Sequence, residues 1–167
     1  WALNLVPALA PDLYYDSLLY HLGVPQLYMN EHRIVRTPSL LYAHLPFAQE
    51  TLYTLTLLLH GPTLATLLSW ACGVGLTAAT AALGQRLGHP RAGAWAAALV
   101  ACTPAVLFNG RIAATENALS WWCLMALWAW WRWREEDRGA GRPAPGWLVI
   151  AGAFGGLAVG TKWPGLF

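Results

Sequence analysis

The 167-residue chain is 57% hydrophobic and only 11% charged, with a mean hydropathy of +0.41. Ordinary soluble domains carry charge on about a quarter of their residues, so an all-α membrane protein crossing the bilayer several times is expected. A net charge of +2, carried by scattered basic residues, does not suggest a nucleic-acid-binding surface.

Residues 1–47 are punctuated by Pro7, Pro11, Pro25, Pro38 and Pro46 and are too polar to span a bilayer. Leu18, Leu19, Leu22, Leu27 and Tyr28, then Leu40, Leu41 and Leu45, recur at helical spacing, which predicts short helices lying along the interface. Residues 48–60 read as a helix shorter than the ~20 apolar residues a span requires. Gly61-Pro62 stops it, giving a juxtamembrane or re-entrant helix.

Residues 63–85 are uncharged and long enough for a full span. A turn through His89-Pro90-Arg91 leads to a second apolar run over 92–108, and Asn109-Gly110-Arg111 makes the next loop. A third span, 112–131, ends in the cluster Trp128, Trp130, Trp131 and Trp133, which suits an interfacial aromatic belt. Residues 132–146 are charged and Gly/Pro-rich and read as a loop, and Trp147 to Gly160 begins a fourth, truncated span. The expected architecture is a large extracytoplasmic segment with interfacial helices (1–61) followed by a multi-span helical bundle (62–167). The chain begins at Trp1 rather than Met and stops at Phe167 inside an apolar run, so a fragment of a longer protein is expected. Cys72, Cys102 and Cys123 have no ligand spacing and read as plain buried thiols.

Basic residues set the orientation. Arg86, Arg91, Arg132, Arg134, Arg138 and Arg142 crowd into two short loops, which the positive-inside rule assigns to the cytoplasm. Glu135, Glu136 and Asp137 share that side and read as a solvated stretch. The extracytoplasmic face then collects Asp12, Asp16, His21, Glu31, His32, His44 and Glu50, with Arg111, Glu116 and Lys162 from later loops and span ends. Titratable groups at a bilayer mark functional sites unless they face water for some simpler reason.

Each candidate has a chemical and a plain reading. Asp16 could act as a general base toward a hydroxyl, bind substrate or metal, or merely cap an interfacial helix. His21, five residues on, could orient a phosphate or an acid; on one α-helix the two would point to different sides. Glu50, next to His44-Leu45-Pro46, could be a desolvated acid or simply favour the first turn of its helix. Glu116 could be a second acid or the partner of Arg111. Lys162, after the small-residue run Gly155 to Gly160, could hold a lipid phosphate as a point charge or snorkel to the interface. Carboxylates and histidines on one face admit a divalent metal, although their spacing does not demand one.

Taken in order, these residues form a pattern. An Asp in an aromatic-rich first loop precedes a His-x-Pro stretch leading to Glu. A Thr-Pro then precedes an Arg-x-x-x-x-Glu loop, and a Gly-rich span ends in Thr-Lys. This order resembles the N-terminal half of the GT-C membrane glycosyltransferases, in particular bacterial relatives of protein O-mannosyltransferases and lipid A aminoarabinose transferases. The resemblance implies transfer of a sugar from a polyprenyl-phosphate donor to a glycan, lipid or protein acceptor at the extracytoplasmic face of the inner membrane. It also implies that Asp16, Glu50 and Glu116 are the catalytic acids and that Lys162 is the lysine of the Gly-rich span; His21, His44, Arg111 and Lys162 are the candidate substrate-binding residues. His44-Leu45-Pro46 stands in place of His-Pro-Pro, Asp16-Ser17 in place of Asp-Glu, and Thr51 where several relatives carry lysine, which leaves the acceptor open. The competing reading is a membrane transporter or permease.

Overall fold

A computed structural model describes residues 1–140 and 145–166, and every regular element among them is helical. Eight α-helices follow in order: α1 (Ala2–Ala8), α2 (Gly23–Glu31), α3 (Ala48–His60), α4 (Pro62–Arg86), α5 (Pro90–Cys102), α6 (Pro104–Asn109), α7 (Glu116–Ala140) and α8 (Pro145–Thr161). A π-helical turn (Ser17–His21) precedes α2, a 3-10 turn (Leu41–His44) precedes α3, and another (Trp163–Leu166) follows α8.

Helices α4, α5, α7 and α8 form the bundle, with α4 at its centre. Small residues let their backbones meet. Gly84 and Gly93 approach so closely that a Cβ on the first would lie 2.2 Å from the Cα of the second. Gly75 leaves room for the Trp121 ring in the same way. Helix α3 packs on both α4 and α8, and α2 packs on α3, so the N-terminal segment sits over one end of the bundle.

The apolar runs expected as spans form helices, with altered limits. Helix α4 alone among the described residues is long and apolar enough to cross a membrane by both criteria. The run over 92–108 is divided into α5 and α6 because Pro104 has no N–H and drives Thr103 out of helical geometry, to ψ 121°. The third helix starts at Glu116 rather than 112, after a turn at 111–115. It also continues to Ala140, through part of the stretch read as a loop. Glu and Arg are good helix formers, and Arg132 pairs with Glu136 one turn on at 3.4 Å. The side chains of Asp137 and Arg138, and all of Arg142, lie outside the described residues.

Helix α1 is not among the helices predicted from the sequence, and it forms with Pro7 inside it. Packing overrides the proline. The Trp1 indole donates to Thr77 Oγ1 (3.0 Å), and Asn4 donates to the Leu107 carbonyl (3.1 Å), tying α1 to α4 and α6. Cys72 is buried as expected, but Cys102 and Cys123 are exposed on outward helix faces.

Charged contacts gather at the two ends of α7. Glu116 at its start meets Lys162, whereas near its other end Arg86 donates to Glu135 at 2.6 Å. Nineteen residues separate Glu116 from Glu135, about 28 Å along a helix, close to the ~30 Å thickness of a bilayer's hydrocarbon core. Between these ends Trp95, Leu99 and Val149 face outward, at 70% exposure or more. Such outward apolar side chains suit contact with hydrocarbon.

Candidate active site

At the end of the bundle that carries Glu116, a cleft of about 350 Å³ opens between the N-terminal segment, the turn before α7 and the end of α8. Its size lies within the range of small-ligand sites. Asp16, Tyr20 and His21 line one wall, Asn109, Ile112 and Glu116 another, and Lys162 a third.

The first wall depends on the π turn. Asp16 and His21 would lie about 140° apart on an ideal α-helix. Here the Leu22 amide donates to the Ser17 carbonyl, a step of five residues, at 2.8 Å. The wider turn brings both side chains to the same cleft. Two residues stabilise it from outside. A Cβ on Gly23 would lie 2.5 Å from the Leu18 carbonyl oxygen, so only glycine fits there. Pro25 has no N–H to pull the His21 carbonyl back into an α-helical step.

Asp16 precedes this turn but its side chain makes no capping bond, which removes the plain reading of that residue. The capping-type role falls to Asp12, which the sequence reading counted only among the acids of this face. One Asp12 oxygen accepts the Tyr14 amide at 2.9 Å, and the other accepts the Ala113 amide at 2.7 Å. Asp12 therefore ties the first wall to the turn that presents Glu116. That turn is fixed again from beneath, where the Tyr53 hydroxyl and Ser69 Oγ both donate to the Ala114 carbonyl.

Glu116 lies in the first turn of α7, and its Oε1 accepts from Lys162 Nζ. Its other oxygen accepts the Thr115 amide at 3.2 Å. Lys162, rather than Arg111, is thus its ionic partner. Both side chains of the pair stay partly exposed to the cleft. Tyr20, beside them, has its hydroxyl pushed up to about 12 by burial and then by the negative charges of Asp16, Glu116 and Glu50. It remains a neutral donor throughout the physiological range.

Glu50 occupies the first turn of α3, where the helix dipole favours it, but its side chain serves another purpose. Oε1 lies 2.7 Å from Nδ1 of His21, and the two residues are 3% and 4% exposed. Glu50 does not itself line the cleft; it reaches it through His21. His44 and Arg111 are exposed and stand outside the cleft, Arg111 with its guanidinium 5.9 Å from the centre of the Phe108 ring. Among the described residues no group of three or more His, Cys, Asp or Glu side chains is placed to hold a metal ion. A hollow of about 290 Å³ at the opposite end, between Trp128, Arg132 and Trp147, has apolar walls and arginines already engaged by Glu135 and Glu136.

A family model described as dolichyl-phosphate-mannose-protein mannosyltransferase matches residues 62–167, more than half of the chain. The chain belongs to this family. It is a membrane glycosyltransferase of mannosyltransferase-like type, all-helical as the sequence predicted. No curated protein and no solved structure matches it. The matched segment of this mannosyltransferase-family chain contains Glu116 and Lys162, whereas Asp16, His21 and Glu50 precede it.

Proposed function

We propose that the protein transfers a sugar from a polyprenyl-phosphate carrier to an acceptor hydroxyl, and that the transfer takes place in this cleft on the extracytoplasmic side of the membrane. The observation that carries the reading is the meeting of Asp16, Glu116 and Lys162, from three separate parts of the chain, around one opening. Displacement at an anomeric carbon needs a hydrogen-bond acceptor that orients the acceptor hydroxyl and positive charge to receive the departing phosphate. Asp16 supplies the first as the carboxylate that binds and orients the acceptor hydroxyl. Lys162 supplies the second, and Glu116 holds its ammonium at the rim until a phosphate competes for it. Glu50 supports the acceptor side from behind. Arg111, beyond the cleft, faces the headgroup region, where the carrier's phosphate would approach, and His44 borders the acceptor's path.

Membership of the family supports a polyprenyl-phosphate donor, and the arginine distribution supports an extracytoplasmic cleft. The acceptor, whether glycan, lipid or protein, is the least constrained part. The transporter reading receives less support, because the ionisable groups of the cleft stand at helix ends rather than midway along the bundle. The test is to supply membranes containing the full-length protein with radiolabelled polyprenyl-phosphate mannose. Label should pass to an acceptor and leave polyprenyl phosphate behind. Label that crosses the membrane still attached to its carrier would favour transport instead.

A further inference from the structure

A carboxylate buried to 3% exposure beside a histidine at 4% is a costly arrangement, because a charge leaves water with a single polar neighbour to compensate it. It is costlier here because the second oxygen of Glu50 is buried with no hydrogen-bond partner among the described residues. Fold stability alone would be served better by apolar side chains of similar volume. The pair also has a definite polarity. With Glu50 as a carboxylate, which only accepts, the hydrogen of the 2.7 Å contact lies on Nδ1 of His21. The proton-free position of the neutral ring is then Nε2. That atom makes no hydrogen bond to any described residue and is not among the buried atoms cut off from solvent, while His21 itself lines the cleft.

From this geometry we propose that His21, held in one tautomer by Glu50, is the base that takes the acceptor's proton, with Asp16 orienting the same hydroxyl. The inference rests on the transferase reading and assigns the proton within it. As the acceptor oxygen forms its bond to the anomeric carbon, the O–H proton passes to Nε2 of His21. The bond from that carbon to the phosphate oxygen breaks, and its electron pair leaves on the phosphate, facing Lys162. Glu50 stabilises the imidazolium without taking the proton itself, the role a buried carboxylate plays behind a catalytic histidine. Glu50 touches no substrate and is a positioning residue.

The groups around the ring bear on any titration. Glu50 faces it from α3, Asp16 and Tyr20 from its own turn, Glu116 from the start of α7 and Lys162 from the end of α8. The Tyr20 ring lies 4.2 Å from the imidazole, centre to centre. The donor is a phosphodiester and stays singly charged near neutrality, so an acid limb in the rate belongs to the protein.

The experiment follows the pH dependence of kcat for transfer from polyprenyl-phosphate mannose by the full-length protein in membranes, with His21→Ala and Glu50→Gln beside the wild type. His21→Ala should lose about 10²-fold or more and regain part of that rate with added imidazole. Glu50→Gln keeps the shape of the pair and guards against a folding defect. Its acid limb should move to lower pH, because the imidazolium loses its counter-charge. A His21→Ala loss that imidazole does not relieve, together with an unmoved acid limb in Glu50→Gln, would overturn the proposal. A wild type that transfers no label at all would instead remove the transferase reading on which it rests.

Discussion

Replacing Lys162 with methionine separates chemistry from stability most sharply. The side chains of Lys162 and Glu116 remain 30% and 46% exposed, so their ion pair is screened and contributes at most about 1 kcal/mol to folding. Glu116 can rehydrate when its partner is removed, so no stranded buried charge is left. In a domain of this size the change corresponds to a fall in Tm of about 2–4 °C or less. A cation facing a departing phosphate is a different matter. Removing one group that stabilises developing negative charge typically costs about 2.7–4 kcal/mol, or 10²–10³ in kcat. Lys162→Met should therefore lower transfer a hundredfold while the detergent-solubilised protein melts almost unchanged, and Lys162→Arg should retain much of the rate. Thermal unfolding and initial transfer rates on the same preparation make the comparison. A loss within about threefold, some 0.65 kcal/mol of barrier, would refute the argument that this ammonium receives the phosphate.

Three further outcomes are expected. Gly23→Ala pushes a methyl group onto the Leu18 carbonyl, so the π turn must rearrange; overpacking of this kind costs about 1–3 kcal/mol, and transfer should fall further than the loss of folded protein measured by size-exclusion chromatography. Asp12→Ala removes the acceptor of two backbone amides joining the first wall to the turn before α7, at a cost of about 1.5–3 kcal/mol for a charged acceptor. Limited proteolysis near residues 109–115 should accelerate accordingly. The folded state holds the proton of Tyr20 more tightly than the unfolded chain does, up to about pH 12. The stabilisation this contributes is complete below about pH 10 and is lost as pH rises through the folded value; Tyr20→Phe should flatten that alkaline loss in pH-dependent unfolding.

Much of the site could be read from the chain because its residues are chemically out of place. Asp16, Glu116 and Lys162 are charged in a hydrocarbon-rich sequence, and the order of apolar runs placed them at one end of the bundle, where they line one cleft. The apolar length of α4 and the breaks at Pro62 and Pro90 were legible for the same reason, since hydropathy and proline act locally. What escaped was set by tertiary contact. A single-turn change from α to π geometry has no strong local signal, yet it decides whether Asp16 and His21 share a wall. Gly23 and Pro25, directly after His21, were the available clue. The pairing of His21 with Glu50 joins residues 29 positions apart and no spacing rule announces it. Asp12 was one acid among several until the Ala113 amide gave it a partner. Helix α1 ran against its own proline because Trp1 and Asn4 found anchors on α4 and α6.

The most direct test concerns Asp16, which lines the cleft proposed to bind the acceptor and makes no capping bond that would explain it otherwise. The Asp16→Asn protein, shown by its melting curve to be folded, should be assayed with radiolabelled polyprenyl-phosphate mannose in membranes beside the wild type. Transfer should fall about a hundredfold, as when a reacting group loses its positioning, with the melting temperature preserved. Transfer at the wild-type rate would mean that this cleft is not where the sugar changes hands.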